Sequence, residues 1–208
     1  MTKLLHLASS PRGERSHTLR AAGEFIRSYQ NAHPHAEVAT IDLWAYPLPR
    51  FDGDTIAAKY AVLAGEAQTP GQDGAWEVVR GVVDQFKSAD ALLLSVPMWN
   101  FGVPYVLKHY IDVVTQPGLT FAWSPTRGFE GLVTGRPAVI ISASAGAYPA
   151  GTDAVAADFE RPYLEHWLRF VGFTDIRTVA VAPTLGEPAA VVAAQLAANG
   201  DAAALAAA

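Results

Sequence analysis

The chain has 208 residues, 50% of them hydrophobic and 17% charged, with Gly 17 and Pro 14. That is the composition of a compact fold rather than a disordered chain, and the length suits one domain, residues 1–208, built on a single core. A net charge of −5 offers no basic field for nucleic acid, and with Cys 0 there is no disulfide, thiolate metal site or cysteine nucleophile.

Residues 3–8 form a short apolar run that ends at Ser9, Ser10, Pro11 and Gly13. It is too short for a signal-peptide core and reads as a first strand. Residues 18–32 then carry Leu19, Ala22, Phe25, Ile26 and Tyr29 at helical spacing. The alternation over 37–43 predicts a second strand, followed by an irregular Pro-rich stretch at 46–52 and a helix over 55–67 that Asp54 can cap. Beyond a Gly-rich loop at 69–74, Trp76, Val79, Val82, Val83 and Phe86 mark another helix. The continuous apolar run 91–96 has the pattern of a strand covered on both faces.

Pro104 suits the first position of a helix whose Leu107, Tyr110, Ile111 and Val114 face inward. Residues 137–142 repeat the buried-strand pattern, and 153–171 read as helical with a break at Pro162. Residues 163–171 are apolar almost all round, which places them deep in the core or at a subunit interface. A last strand over 176–182 and a helix over 188–198 follow, and the Ala-rich tail 199–208 reads as a fraying helical end. Prolines and polar residues interrupt 91–107, and no stretch reaches the ~18 unbroken apolar residues of a membrane span. Strands alternating with helices predict an α/β fold: a doubly wound, five-stranded parallel sheet with helices on both faces.

In such a sheet ligands bind beyond the carboxyl ends of the strands, where the strand order reverses. Three loops there have unusual composition. The first, 9–18, leads into a helix N-terminus, where free N–H groups and the helix dipole favour an anion. Ser10, Ser16 and Thr18 add hydroxyl donors and His17 stands among them, so a phosphate is the natural guest. A phosphatase would need a thiolate where Ser9 stands. Neither a nucleoside-triphosphate loop nor a resident dinucleotide fingerprint is present.

The second loop is Pro97-Met98-Trp99-Asn100-Phe101-Gly102, closed by Val103-Pro104. Two prolines stiffen it, Gly102 permits close backbone approach, and Asn100 offers donor and acceptor to the edge of a flat heterocycle. The third, Ala143-Ser144-Ala145-Gly146 with Tyr148 beyond it, exposes backbone amides. No G-x-S-x-G motif accompanies its serines. A phosphate at one loop and a polar-edged ring between the other two describe flavin mononucleotide (FMN). The two histidines of His33-Pro34-His35 read as solvated residues of a polar loop rather than as metal ligands, so no metal site is expected.

The Ser-rich first loop, PMWNFGVP followed by LKHYID, PGLTFAW, GFEGLVTGRPAVII and RPYLEHWLRFVGF together resemble the FMN-dependent NADH-azoreductase family across nearly the whole chain. These are flavodoxin-like homodimers that reduce quinones and azo dyes and were once labelled acyl-carrier-protein phosphodiesterases. The resemblance implies ring contacts at Met98, Trp99, Asn100 and Phe101 and phosphate contacts at Ser10, Ser16, His17 and Thr18. It also implies NADH or NADPH as a transient co-substrate in ping-pong hydride transfer, a homodimer, and Trp123 and Trp167 as aromatic residues roofing a partner's substrate site; the cytoplasmic location expected of the chain follows instead from its lack of a signal core or membrane span. The third loop departs from the pattern: many members have Ser-Arg-Gly-Gly where this chain has Ala143-Ser144-Ala145-Gly146. Two other readings share part of this pattern, an FMN electron carrier without its own substrate and a phosphodiesterase acting on acyl carrier protein.

Overall fold

A computed structural model describes residues 2–207. Five strands, β1 (Lys3–Ala8), β2 (Glu37–Asp42), β3 (Ala91–Pro97), β6 (Pro137–Ala143) and β7 (Asp175–Val181), pair in parallel in the order β2-β1-β3-β6-β7. The order reverses at β1, whose chain first moves outward to β2 and then returns to the other side as β3. That reversal leaves the loops after β1 and β3 diverging from adjacent strand ends.

Each face of the sheet is covered by its own apolar cluster. Helices α1 (His17–Ala32) and α6 (Pro188–Ala207) bury Ala21, Ala22, Phe25, Ala198 and Ala202 against Leu4, Leu93, Ile141 and Val181. On the opposite face lie α2 (Gly53–Ala64), α3 (Pro70–Lys87), α4 (Tyr105–Val114) and α5 (Arg161–Val171). They pack Trp76, Phe86, Tyr110 and Leu168 on Leu5, Leu7, Leu92, Leu94 and Ile140. Leu92 to Leu94 thus face alternate clusters, which is why the run is apolar without alternation.

Several expected boundaries move, each for a local reason. The loop expected at 69–74 is the first turn of α3: Thr69 Oγ1 accepts from Gln72 N–H while Gln72 Oε1 accepts from Thr69 N–H, a reciprocal capping box. Asp54 lies in the first turn of α2 instead of capping it, and Pro104 stands just ahead of α4. Pro162 breaks nothing, because it occupies the first turn of α5, where its missing N–H costs no bond. A short 3-10 turn, Asp153–Ala157, precedes that helix. Residues 199–207 continue α6 as regular helix, burying Ala202 and Ala206 in the apolar cluster that α6 shares with α1.

A two-stranded antiparallel hairpin, β4 (Phe121–Ser124) with β5 (Gly128–Gly131), has no counterpart among the expected elements. It lies against the C-terminal end of α5. Gly172 ends that helix in the left-handed region at φ +119°, and a Cβ on Gly131 would strike the Gly172 backbone nitrogen and Cα. Both positions therefore require glycine. Gly131→Ala should lower unfolding stability by at least about 2 kcal/mol, read from urea denaturation, because the atoms it meets are backbone and cannot swing away. A loss near zero would mean that the hairpin is not held against α5.

Candidate cofactor site

Three loops meet at the carboxyl edge of β1, β3 and β6. The β1 strand end is fastened by Ser9, whose N–H and Oγ–H both donate to Ser95 O, at 3.2 and 2.9 Å. Beyond it Ser16 caps α1: its Oγ accepts from Leu19 N–H at 3.3 Å and lies 3.1 Å from Thr18 Oγ1. The first N–H groups of α1, at His17 and Thr18, have no carbonyl within the helix to donate to. Together with the helix dipole and buried hydroxyls, they make an anion pocket.

The second loop is a tight turn. Trp99 and Gly102 exchange backbone hydrogen bonds of 2.9 and 3.0 Å, and between them Asn100 (φ 48°) and Phe101 (φ 70°) are both left-handed, as a type I′ turn demands. Asn accepts this conformation readily, whereas an aromatic residue there stores strain of order 1 kcal/mol. Gly102 itself has no positive φ, and the strained position is Phe101. Its carbonyl accepts from Phe159 N–H at 3.0 Å, which ties the turn to the segment ahead of α5. The Trp99 ring packs on Trp44 and Tyr105, with centroids 5.5 and 6.4 Å away, and Trp44 Nε1 donates to Ser9 O. The first and second loops are thereby braced against each other.

The third loop joins through Met98 N–H, which donates to Ala143 O at 2.7 Å. Ser144 Oγ donates to Gly146 O, and Ser144 O accepts from both the N–H and the hydroxyl of Thr184. A cavity of about 240 Å³ opens between the loops, lined by Ser10, Ser16, His17, Thr18, Pro97, Met98, Trp99, Ala143 and Ala145. Arg12 and, from the segment after β7, Thr184 and Leu185 complete it. A second cavity of about 170 Å³ shares Met98 and is lined by Ser144, Tyr148 and Arg161. Asn100 and Phe101 form an exposed rim, and Gly146 at the end of the third loop is exposed.

The hydroxyls, free helix N–H groups and Arg12 suit a phosphate, and the flat, stiff apolar rim suits a ring, so the residues present fit FMN. Arg12, Thr184 and Leu185 were missed: Arg12 had a sequence signal in the first loop, but the β7–α6 segment had none.

The two tryptophans assigned to a substrate roof part company. Trp167 is buried in the core, where it stacks on Phe86 (centroids 5.9 Å apart) and donates from Nε1 to Thr115 Oγ1 at 2.9 Å. Its indole N–H is satisfied inside the chain, so it roofs nothing. Trp123 is 61% exposed on β4 and lines neither cavity of its own chain. Helix α5 is amphipathic, burying Leu164, Trp167, Leu168 and Val171 while exposing His166 and Arg169.

Two buried titratable groups flank the loops. His6 bridges Thr40 Oγ1 and Ser95 Oγ at 3.3 and 2.9 Å beneath the first loop, and burial pushes its pKa down to about 4. Glu160, next to Phe159, is wholly buried with neither carboxyl oxygen partnered among the described residues. Asp158 caps α5 in its place, its Oδ1 accepting from Glu160 and Arg161 N–H groups. Burial first, and the Asp158 charge second, push Glu160 up to about 9 against the opposing pull of Arg161.

The flavodoxin-like fold family matches residues 2–204. An FMN-dependent NADH:quinone oxidoreductase of Nitratidesulfovibrio vulgaris is 46% identical over 185 residues, 89% of this chain and 88% of its own length. The chain belongs to the flavodoxin-like family of FMN-dependent NADH:quinone oxidoreductases. Among solved structures, an azoreductase from Bacillus anthracis str. Sterne superimposes with a TM-score of 0.91 at 28% identity, covering 100% of this chain and 99% of its own. An FMN-dependent NADH-azoreductase from Bacillus anthracis str. Ames Ancestor, solved in complex with FMN, gives 0.85 at 25% identity over 99% and 100% of the two chains. In this family member the carboxyl edge thus has the fold, and the donors, of a flavin site.

Between about pH 4.5 and 9 the folded chain keeps a proton on Glu160 that the unfolded chain has lost. Stability therefore falls as pH rises through that window, by up to about 1.4 kcal/mol per pH unit. Glu160→Gln removes this slope, so the variant's stability relative to the parent should grow from pH 5 to pH 8.5 in urea titrations. Parallel profiles would show that the acid is ionised and partnered in solution.

Proposed function

We propose that this chain is a cytoplasmic, FMN-dependent NAD(P)H oxidoreductase that reduces quinones and azo compounds and works as a homodimer. The observation that carries the reading is the meeting, where strand order reverses, of a hydroxyl-lined and amide-lined anion pocket with a strained turn displaying Asn100. The chemistry that bound FMN supplies there is two-electron transfer from a visiting NADH or NADPH to the acceptor.

The chain's own residues hold and orient it. Ser10, Ser16, His17 and Thr18 take the phosphate, Pro97 to Gly102 present a rigid rim to the ring, and Asn100 offers its amide to the ring's polar edge. Ala143 to Gly146 and Tyr148 approach from the third loop, whose Ser144 hydroxyl is committed to Gly146 O and so is poorly placed as a nucleophile. Within one chain the rim is open to solvent: Phe101 is 54% exposed and Phe159 64%. Next to it runs a groove of about 830 Å³ lined by Phe51, Tyr105, Phe159 and Tyr163 together with Arg50, Lys108 and His109. A second copy covering this groove would exclude water from the ring and could bring its exposed Trp123 to the substrate.

The purified protein, reconstituted with FMN, should show a flavin absorption band that bleaches on anaerobic NADH or NADPH and returns on adding a quinone. A band that stays oxidised with both nucleotides would favour an electron carrier, and failure to retain FMN would sink the reading. Ser16→Ala removes a phosphate hydroxyl and a helix cap together, so FMN affinity should fall at least tenfold, with about 1 kcal/mol of stability lost. Sedimentation should give twice the chain mass for the parent, and Phe159→Asp, which puts a charge into the groove, should shift the boundary toward the monomer.

A further inference from the structure

The phosphate pocket contains one titratable imidazole, and its ring is held from behind. His17 Nδ1 lies 2.7 Å from Gln195 Oε1 on α6. The same amide's nitrogen donates to His17 O at 3.2 Å and to Asn199 Oδ1 at 2.8 Å. The His17 carbonyl can only accept, so it demands the amide's N–H, which fixes the Gln195 orientation and leaves Oε1 as an acceptor. Nδ1 must then carry the proton. Gln195 is itself only 7% exposed, which makes this a built contact rather than a surface encounter.

The consequence falls on the other ring nitrogen. Nε2 has no hydrogen-bond partner among the described residues, and His17 lines the cavity beside Ser10, Arg12, Ser16 and Thr18. In the neutral ring with Nδ1–H pinned, Nε2 carries a lone pair and repels a phosphate oxygen. The alternative neutral tautomer would donate from Nε2, but only by breaking the Gln195 bond. The ring can keep Gln195 and also donate to an anion only as the imidazolium, which then forms a charge-assisted bond.

We propose that His17, held in its Nδ1–H form by Gln195, takes up a proton when the FMN phosphate binds, so that flavin retention in this protein depends on pH. The inference rests on the flavin reading above and goes beyond it by assigning Gln195 as a positioning residue and His17 as a proton-coupled clamp. Proton and phosphate binding are reciprocal: whatever the anion does to favour the imidazolium, the imidazolium does to favour the anion. From the first loop and α1 the charged neighbours are Arg12, Glu14, Arg15 and Arg20, the last donating to Ser16 O and Arg15 O. From α6 and the turn before it, Gln195 and Asn199 are uncharged, with Glu187 and Asp201 the nearest acids in sequence, both exposed. The second and third loops bring only uncharged residues, Met98, Trp99, Ala143 and Ala145, to this cavity.

The test is the affinity of the flavin-free full chain for FMN and for riboflavin between pH 5.5 and 8.5, by flavin fluorescence quenching, in the parent, His17→Asn and His17→Gln. Circular dichroism verifies that each variant is folded. Free FMN has its own phosphate ionisation near pH ~6, which the variants retain, so the difference between parent and variant profiles isolates the histidine. The parent should lose about five- to tenfold more FMN affinity than either variant between pH 6 and 8, within the limit of tenfold per pH unit for one proton. Riboflavin, lacking the phosphate, should show no such difference.

Calorimetry in buffers of differing ionisation heat should give net proton uptake on FMN binding near pH 7 that both variants reduce. Nitrogen-15 spectra of the flavin-free protein should show His17 protonated at Nδ1, and Gln195→Glu should move the parent's loss of affinity to higher pH. Identical pH profiles for parent and variants, or an Nε2–H ring, would overturn the proposal while leaving the flavin reading intact. Failure of the parent to bind FMN at any pH would overturn both.

Discussion

Hydrogen bonds between strand ends are what the site depends on. Ser9 spends both its N–H and its hydroxyl on Ser95 O, and Met98 N–H reaches Ala143 O, so the carboxyl ends of β1, β3 and β6 are fixed edge to edge before any loop begins. Because β1 pairs in parallel with β2 on one side and β3 on the other, the chain leaving β1 and the chain leaving β3 must turn opposite ways. The cleft between them is a product of topology. Side chains only furnish it, with polar groups where α1 starts and with a stiff turn where β3 stops. His6, buried and neutral between Thr40 and Ser95, belongs to the same fastening, since it replaces an apolar contact behind the first loop with two directional ones.

The turn at Asn100 and Phe101 shows how such an edge is made rigid. A type I′ turn is usually built from residues that tolerate left-handed backbone, and placing Phe at the second position costs energy that the surroundings must offset. The Trp99–Gly102 hydrogen-bond pair, the Phe159 N–H to Phe101 O bond and the Trp44–Trp99–Tyr105 cluster do so. The returned benefit is an aromatic ring held at the rim rather than folded into the core, with Phe101 more than half exposed. Glu160 lies next to Phe159 in the same strap. A buried acid without a partner is costly, and clustering of such costs around one loop is the mark of a region shaped for a ligand rather than for stability alone.

Most of this architecture is legible in the sequence because its signals are local. The Leu-rich run at β3, the alternation at β2 and the 3.6-residue spacing in α1 each report their own element, and alternation of strand with helix reports the parallel sheet. The density of Ser, Thr and Gly after β1 reports the anion pocket. What escaped lies at longer range or depends on one decisive pairing. The Gly-rich composition of 69–74 hides a reciprocal cap between Thr69 and Gln72. The hairpin is four residues a side, and its stability comes from Gly131 meeting Gly172 rather than from any pattern of its own. The tail of α6 looked like a fraying end because alanine carries no periodicity, although Ala202 and Ala206 pack in the core. Trp167 cannot be told from Trp123 by residue type, and only Thr115 and Phe86, 52 and 81 residues away in the chain, show which one is inside.

The third loop shows how far a site can change in side chain while its backbone persists. Where relatives by resemblance place an arginine and a second glycine, this chain has small residues, and its order comes from elsewhere: Thr184 donates twice to Ser144 O, and Ser144 Oγ closes on Gly146 O. A guanidinium does stand nearby, but it arrives from α5. Arg161 bonds Tyr148 O and pairs with the buried Asp158, so its charge is largely spent within the chain. The positive charge facing the cleft is then concentrated at the first loop, around Arg12 and the start of α1. The charged end of the cleft is accordingly the one where Gln195 of α6 braces His17.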